Sequence, residues 1–174
     1  MKTNKNVYIN NFDSVSCAGA DSNELFDSIC QKKDTISIDS QYVEERDVAI
    51  GRIDSDVEFN ELLLQKCENV LIASNLDNFS NTLLVIGSSV GGMRETEKIF
   101  FHEKNYKNIN YKKHPIDAIA YCLKQKFSFY DDISFSTACT SSANALGYAK
   151  EVIQKKIYKN VLVVGVDSLS HTTV

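Results

Sequence analysis

The sequence predicts an α/β fold with a largely parallel sheet covered by helices. Predicted strands and helices alternate along the chain, and the strands predicted at 82–86 and 161–166 are almost wholly apolar. Strands that are apolar on both faces are typical of parallel sheets with helices packed on each side. With 174 residues, 43% of them hydrophobic, the chain is expected to form one domain, residues 1–174, with a buried core.

Each element is predicted from a local pattern of capping or spacing. Asp21 and Glu24 form a capping box that opens a helix, and Pro115 suits the first turn of another. Apolar side chains between residues 58 and 74 recur at intervals of three and four, which predicts a helix with one apolar side. In chain order the predicted elements are a strand at 7–11, a helix at 22–29, strand-like pieces around 36–38 and 48–53 in an otherwise irregular polar segment, a helix at 58–74, a strand at 82–86, helices at 93–101 and 115–127, a strand at 132–136, a helix at 140–157 and a strand at 161–166.

Composition and charge exclude several classes of protein. The net charge is −4, whereas a nucleic-acid-binding domain usually carries a basic excess. No stretch approaches the ~20 apolar residues of a membrane span, and the apolar run at 7–9 is too short for a signal peptide. The five cysteines are odd in number and contain no CxxC pair, so neither a zinc site nor a disulfide framework is indicated. We therefore expect a cytoplasmic protein with no nucleic-acid or membrane partner.

Cys139 stands at the junction of a predicted strand and a predicted helix. The unpaired amides and positive dipole of a helix N-terminus favour the thiolate, which is the nucleophilic form of cysteine. The small residues that follow predict a helix that passes close to neighbouring backbone and is buried on most sides; they are Ala143, Ala145, Gly147 and Ala149. This position predicts a reactive cysteine. The other four thiols are expected to be small core residues; they are Cys17, Cys30, Cys67 and Cys122.

Several segments carry a resemblance to a known family. Residues 136–146, STACTSSANAL, closely resemble the active-site segment of the β-ketoacyl-acyl carrier protein synthases, condensing enzymes of the thiolase-like superfamily. Residues 85–92, VIGSSVGG, are similar to the upstream glycine-rich loop of that family, and residues 161–167 and 7–26 are similar to other parts of its first half. The resemblance implies the N-terminal half of a thiolase-like fold, with a mostly parallel mixed sheet covered by helices.

The resemblance also implies roles for particular residues. Cys139 would accept an acyl group as a thioester, and its backbone amide would form part of an oxyanion hole. Val90 and Gly91 match the loop that lines the acyl pocket, and Ala138 flanks the nucleophile. The implied activity is acyl transfer followed by decarboxylative Claisen condensation, in fatty-acid or polyketide-type biosynthesis. No metal or redox cofactor is implied.

The partners implied are an acyl carrier protein, bearing acyl and malonyl thioesters, and a second copy of the chain in a homodimer. The family's two catalytic histidines and its lysine lie in the second half of the polypeptide, which this chain is expected to lack. His102, His114 and His171 do not stand in matching contexts, so no catalytic role is expected for them. The chain alone is therefore expected to be incomplete as a condensing enzyme.

Two other interpretations use the same residues differently. Residues 87–91 match G-x-S-x-G between a strand and a helix, so a serine hydrolase with Ser89 as nucleophile, followed by Asp167 and His171, is an alternative. A non-catalytic partner subunit or one piece of a split enzyme is the other. The retention of Cys139 argues against a purely structural partner, which has no need of a thiol there, but not against a split enzyme. The basic, aromatic stretch 104–113 could contact an acidic carrier protein, but a solvated loop is the simpler interpretation.

Overall fold

A computed structural model describes residues 6–40, 42, 43, 46–53, 55–76 and 79–174. The chain divides into two compact units. Of the described residues, one unit, the sheet unit, contains those at 6–8 and 76–168, and the other, the N-terminal unit, contains those at 9–75 and 169–174. Predictions that fall on residues 41, 44, 45 and 54 of the polar segment lie outside the described residues.

The N-terminal unit contains two helices and a small antiparallel sheet. Its elements are α1 (Ser22–Cys30), β1 (Ser37–Asp39), β2 (Val48–Ile50) and α2 (Phe59–Ala73). β1 pairs antiparallel with β2, with Ile38 opposite Ala49, so the brief strands predicted in the polar segment are confirmed. The apolar stripe predicted for α2 is buried at Leu63, Cys67 and Leu71. Spacings of four place these three side chains on one side of the helix.

The predicted capping box at the start of α1 is present. The Asp21 carboxylate accepts hydrogen bonds from the amides of Asn23 at 2.8 Å and Glu24 at 2.9 Å. The Glu24 side chain reaches back to the amide of Ala20 at 2.9 Å. The hydrogen bonds that the backbone amides of Glu24 and Asn23 donate lower the pKa of Asp21, because both stabilise its ionised form.

Replacing Asp21 by alanine is expected to lower the melting temperature at pH 7, since two helical amides lose their acceptor. A depressed folded-state pKa contributes stability that is present above the ordinary value of 3.8 and is lost as the pH falls through the lower folded value. Thermal unfolding followed by circular dichroism should therefore show a lower melting temperature for Asp21→Ala than for the parent at pH 7. The difference between the two melting temperatures should be smaller at about pH 2. Asp27→Ala, in the middle of α1, is the control. An equal loss of stability at both pH values would contradict the capping role.

The sheet unit is built on a parallel sheet. Its elements are β3 (Thr82–Gly87), α3 (Met93–Glu103), a short 3-10 helix (Tyr111–Lys113), α4 (Asp117–Phe127), β4 (Asp132–Phe135), α5 (Ser141–Gln154) and β5 (Asn160–Gly165). The strand order is β4-β3-β5, and β3 pairs in parallel with both neighbours. Every residue of the central strand β3 is buried, as its unbroken apolar run predicted. The predicted α/β class with a parallel sheet is confirmed.

Helix α5 packs on the sheet through one side. Ala145 and Val152 lie in a core cluster with Leu83 and Val85 of β3. Ala143 and Gly147, on other sides of the helix, are exposed, and a Cβ added to Gly147 would meet nothing within 4 Å. The prediction that this helix is buried on most sides is therefore wrong for this chain, because only one side of the helix packs against the sheet.

Two further predictions differ from the structure. Residues 7–11 form no strand, and Tyr8 and Ile9 are exposed, because no strand among the described residues pairs with them. Cys30 is exposed at the end of α1 instead of lying in a core. The only buried residue of α1 is Ser28, so the helix covers little of its own surface, including this thiol.

Candidate active site

The candidate site lies where the three parallel strands end. The carboxyl ends of β3, β4 and β5 lie at one edge of the sheet, and α3 and α5 begin just beyond the first two. Open α/β sheets bind their ligands at this edge, since loops and helix N-termini converge there. The chain therefore brings residues from 88–92, 136–140 and 166–168 into one region.

Cys139 lies on a tight turn between β4 and α5 and is exposed. The preceding residue, Ala138, has a φ of +52°, in the left-handed region that costs a non-glycine residue energy. Hydrogen bonds hold the turn on both sides of the cysteine. The Ser141 hydroxyl accepts from the Thr137 amide at 2.9 Å and donates to the Ala138 carbonyl at 2.7 Å. The predicted elbow is thus present, with its conformation fixed from α5.

The glycine loop, residues 87–92, joins β3 to α3. The buried Ser88 hydroxyl donates to the Asp167 carboxylate at 2.9 Å and accepts from the Gly91 amide at 2.9 Å. The amides of Ser89 and Val90 donate to the same carboxylate oxygen, at 2.7 and 3.2 Å. The loop therefore folds around one acidic side chain at the end of β5.

Gly91 has a φ of +55°, which explains the need for glycine at this position. A Cβ there would also lie 2.9 Å from the Cα of Ile116, just before α4. Gly91 is therefore packed against the chain that leads into α4. Its proposed contact with an acyl chain stays a prediction, as does that of Val90.

The glycine loop and the Cys139 turn are joined directly. The Ser89 hydroxyl donates to the Ala138 carbonyl at 3.1 Å, and the Ser88 amide donates to the carbonyl of Phe135 at 3.1 Å. The structure thus brings together the segments that carry the four sequence-predicted site residues, which are Val90, Gly91, Ala138 and Cys139. Their neighbours Ser89 and Ser141 make the contacts that hold these segments.

Sequence reasoning did not identify Asp167 as part of the link between the glycine loop and the cysteine turn. A usable signal was its position, because an acidic residue directly after a buried strand lies at the ligand-binding edge of a parallel sheet. The role of Ser141 also required the structure. A serine in the first turn of a helix ordinarily indicates capping alone.

The contacts of Ser89 and Asp167 differ from those of a serine hydrolase triad, in which the serine donates to an imidazole and the acid accepts from it. Here the Ser89 hydroxyl donates to a backbone carbonyl, and the Asp167 carboxylate accepts from Ser88 and two amides. His171 belongs to the N-terminal unit, where its Nδ1 lies 3.1 Å from the carbonyl of Tyr42. These contacts do not support the hydrolase alternative.

The remaining thiols differ in their surroundings. Cys67 is buried, and Cys17 and Cys122 are half-buried. Burial raises the pKa of Cys122, an effect that the nearby positive charge of Lys113 partly offsets. Cys30 is thus the second exposed thiol besides Cys139, and the two form a natural pair for comparing reactivity.

The described ranges contain no group of three or more His, Cys, Asp or Glu side chains arranged to hold a metal ion. Among the helices of the described residues, none combines the length and the apolar character that crossing a bilayer requires. Of the groups gathered at the candidate site, the Cys139 thiol is exposed, whereas the Ser88 and Ser89 hydroxyls and the Asp167 carboxylate form hydrogen bonds within the site.

Comparison with known protein families gives a match over part of the chain. Residues 133–173 match the protein-family model described as 3-oxoacyl-[acyl-carrier-protein (ACP)] synthase III. This matched segment contains all but the first residue of β4, together with the Cys139 turn, α5, β5 and Asp167. No curated protein matches the sequence significantly.

Two solved structures share the fold. A β-ketoacyl synthase from Burkholderia phymatum STM815 superimposes with a TM-score of 0.74 at 15% identity, covering 95% of this chain and 47% of that one. A chain of the AntDE:AntF complex, described as a type II PKS acyl-carrier protein with its ketosynthase bound to the hexaketide, gives 0.65 at 20% identity, covering 92% and 51%. This chain therefore has the thiolase-like fold of the β-ketoacyl synthases and spans about half the length of the matched chains. The resemblance seen in the sequence is confirmed.

Proposed function

We propose that this chain provides the acyl-accepting half of a β-ketoacyl-acyl carrier protein synthase, an acyltransferase, with Cys139 as nucleophile. The observation that carries the proposal is the exposed Cys139 on a strained turn at the carboxyl edge of the parallel sheet, separated from the start of α5 by Thr140 alone. A cysteine in this position can attack an acyl carbonyl from solvent while the helix N-terminus faces the oxygen that becomes negative.

In the first step the Cys139 sulfur attacks the carbonyl carbon of an acyl thioester on a carrier protein. The carbon–sulfur bond to the carrier breaks, the proton lost by the Cys139 thiol is gained by the leaving carrier sulfur, and the acyl group remains on Cys139 as a new thioester. The Cys139 amide contributes to the oxyanion site, Ala138 flanks the nucleophile, and Val90 and Gly91 line the acyl pocket. The hydrogen bond from Ser89 to the Ala138 carbonyl supports this arrangement, because it joins the pocket loop to the nucleophile turn.

In the second step, performed by the longer protein, a malonyl thioester loses carbon dioxide. The resulting carbanion attacks the acyl carbonyl, and the Cys139 thiolate leaves as the carbon–carbon bond forms. The acid–base groups of this step would come from outside the present chain, which by itself is incomplete for condensation. The half-length coverage of the matched synthases supports this division.

An acyl carrier protein is the proposed partner, in fatty-acid or polyketide-type biosynthesis. One of the solved structures with this fold is a ketosynthase in complex with a carrier protein, which supports the proposal. A homodimer in the cytoplasm is also proposed. Exposed apolar residues such as Leu146 on α5 favour self-association, and five free cysteines suit a reducing compartment. A sedimentation-equilibrium mass equal to one chain at high concentration would contradict the dimer.

The acyl-transfer proposal is tested by incubating the protein with an octanoyl-acyl carrier protein. The mass should increase by one acyl group, which hydroxylamine removes and which peptide mapping locates on Cys139. Labelling of Ser89 by a fluorophosphonate probe, with Cys139 unmodified by the acyl donor, would instead support the serine hydrolase alternative. A protein with neither modification would favour the non-catalytic or split-partner alternative.

A further inference from the structure

We propose that Asp167 is a positioning residue for acyl transfer: its carboxylate holds the glycine loop so that Ser89 fixes the turn carrying Cys139. This inference rests on the proposed function, since it concerns the same nucleophile. It adds a side chain from the segment that follows β5 to a site otherwise built from the segments that follow β3 and β4.

The sheet sets the position of Asp167. β5 pairs with β3 in register, with Gly165 opposite Gly87, and the Val166 amide donates to the Gly87 carbonyl at 3.0 Å. Asp167 is the next residue, so its backbone starts from a point that the sheet defines. Its exposed side chain can therefore act as a fixed anchor for the neighbouring loop.

Three donors converge on Asp167. One carboxylate oxygen accepts from the Ser88 hydroxyl and from the amides of Ser89 and Val90. Hydrogen bonds to an ionised acceptor are stronger than those between neutral groups. Ser88 is fully buried, and its oxygen accepts from the Gly91 amide, while its one hydroxyl proton is donated to Asp167. Without this carboxylate, a buried hydroxyl and two loop amides lose their acceptor.

Ser89 joins the glycine loop to the nucleophile turn. The Ala138 carbonyl accepts from the Ser89 hydroxyl at 3.1 Å, from the Ser141 hydroxyl at 2.7 Å and from the Ser141 amide at 3.0 Å. Ala138 has a left-handed conformation, which persists only where its surroundings hold it. Two of the three bonds come from α5 and one from the glycine loop. Ser89 is therefore the contact through which Asp167 acts on the residue before Cys139.

The test measures Cys139 reactivity in Asp167→Ala, Asp167→Asn, Ser89→Ala and the double variant Asp167→Ala/Ser89→Ala. Rate constants for octanoyl transfer from carrier protein and for alkylation by iodoacetamide are followed by peptide mass spectrometry. Alkylation of Cys30, in the N-terminal unit, is the internal reference. Asp117→Asn, an exposed acid in the first turn of α4, is the matched control and should leave both rates unchanged.

We expect Asp167→Ala to slow octanoyl transfer to Cys139 about tenfold and iodoacetamide alkylation about threefold, because the nucleophile is held less constantly in position. In Asp167→Asn both rates should fall less than in Asp167→Ala, since the asparagine amide oxygen can still accept from two donors. Cys30 alkylation should not change. The double variant should match Asp167→Ala, because the two residues act in series.

Three outcomes would each overturn the proposal. The Cys139 rates could be unchanged in Asp167→Ala, or the Cys30 alkylation rate could fall as much as the Cys139 rate. The third is a double variant whose fold-loss in Cys139 rate equals the product of the two single-variant losses. Urea unfolding midpoints identify variants that do not fold. If Asp167→Ala is one of these, Asp167→Asn and Ser89→Ala are compared with their own double variant, and multiplied effects there would again overturn the proposal. If the unmodified protein accepts no acyl group, the proposed function fails, while the iodoacetamide rates still decide the role of Asp167.

Discussion

Replacement of Cys139 by alanine is expected to reduce acyl transfer from an acyl carrier protein by about a thousandfold or more, to the background rate. The thiol is the atom that forms the new bond, so no neighbouring group can substitute for it at the same position. Of the groups that contact its turn, the hydroxyls of Ser89 and Ser141 are both engaged with the Ala138 carbonyl. The acylated mass should therefore be absent from Cys139→Ala.

Cys30→Ala is the matched control for this experiment. Cys30 and Cys139 are both exposed, so access alone does not distinguish them. Cys30 is the last residue of α1, whereas Cys139 lies just before the first residue of α5. Because the N-terminal end of a helix stabilises an oxyanion and the C-terminal end does not, acylation should persist in Cys30→Ala. Acyl transfer that is lost in Cys30→Ala but kept in Cys139→Ala would reverse the assignment.

Gly87→Ala is expected to destabilise the sheet unit by about 1–3 kcal/mol or more and to abolish acyl transfer. A Cβ on Gly87 would lie 2.6 Å from the Ser141 carbonyl oxygen and 2.7 Å from the Ser142 Cα. Both neighbours are backbone atoms of the first turn of α5, which cannot move aside as a side chain can. The helix would shift and carry the adjoining Cys139 turn with it. Urea unfolding and the acylation assay measure the two consequences.

Gly147→Ala provides the contrasting substitution in α5 itself. A Cβ at this exposed position meets nothing within 4 Å. Alanine in the interior of an exposed helix is more favourable than glycine by about 0.5–1 kcal/mol, so this variant should be slightly more stable than the parent. If Gly87→Ala and Gly147→Ala both had the urea unfolding midpoint of the parent, the close contact between β3 and α5 would not contribute to stability as proposed. If Gly147→Ala were strongly destabilised, this side of α5 would be covered in solution.

Much of the secondary structure could be predicted because local patterns determine it. The capping box at Asp21 placed α1, and the unbroken apolar run at 82–86 identified the central strand β3. The strand predicted at 7–11 failed because a strand also needs a partner, which a local pattern does not specify. Cys30 illustrates the same limit, since its type favours burial while the packing of α1 leaves it exposed.

The candidate site likewise has features that consecutive residues predict and features that they do not. The position of Cys139 at a strand-to-helix junction, and its resemblance to a family motif, could be derived from consecutive residues. The role proposed for Asp167 could not, since it depends on contacts with Ser88 and Ser89, almost eighty residues earlier. Hydrogen bonds of this separation arise from sheet register, which adjacent residues do not reveal.

The α/β class, the alternation of strands and helices and the position of Cys139 between a strand and a helix can therefore be predicted from consecutive residues. These follow from periodicity, capping and a motif, all of which are properties of short segments. The strand order β4-β3-β5, the single buried side of α5 and the hydrogen bonds from the glycine loop to Asp167 become visible only in the folded chain. These features depend on which distant segments meet, because parallel pairing brings three strand ends to one edge of the sheet wherever they lie in the chain.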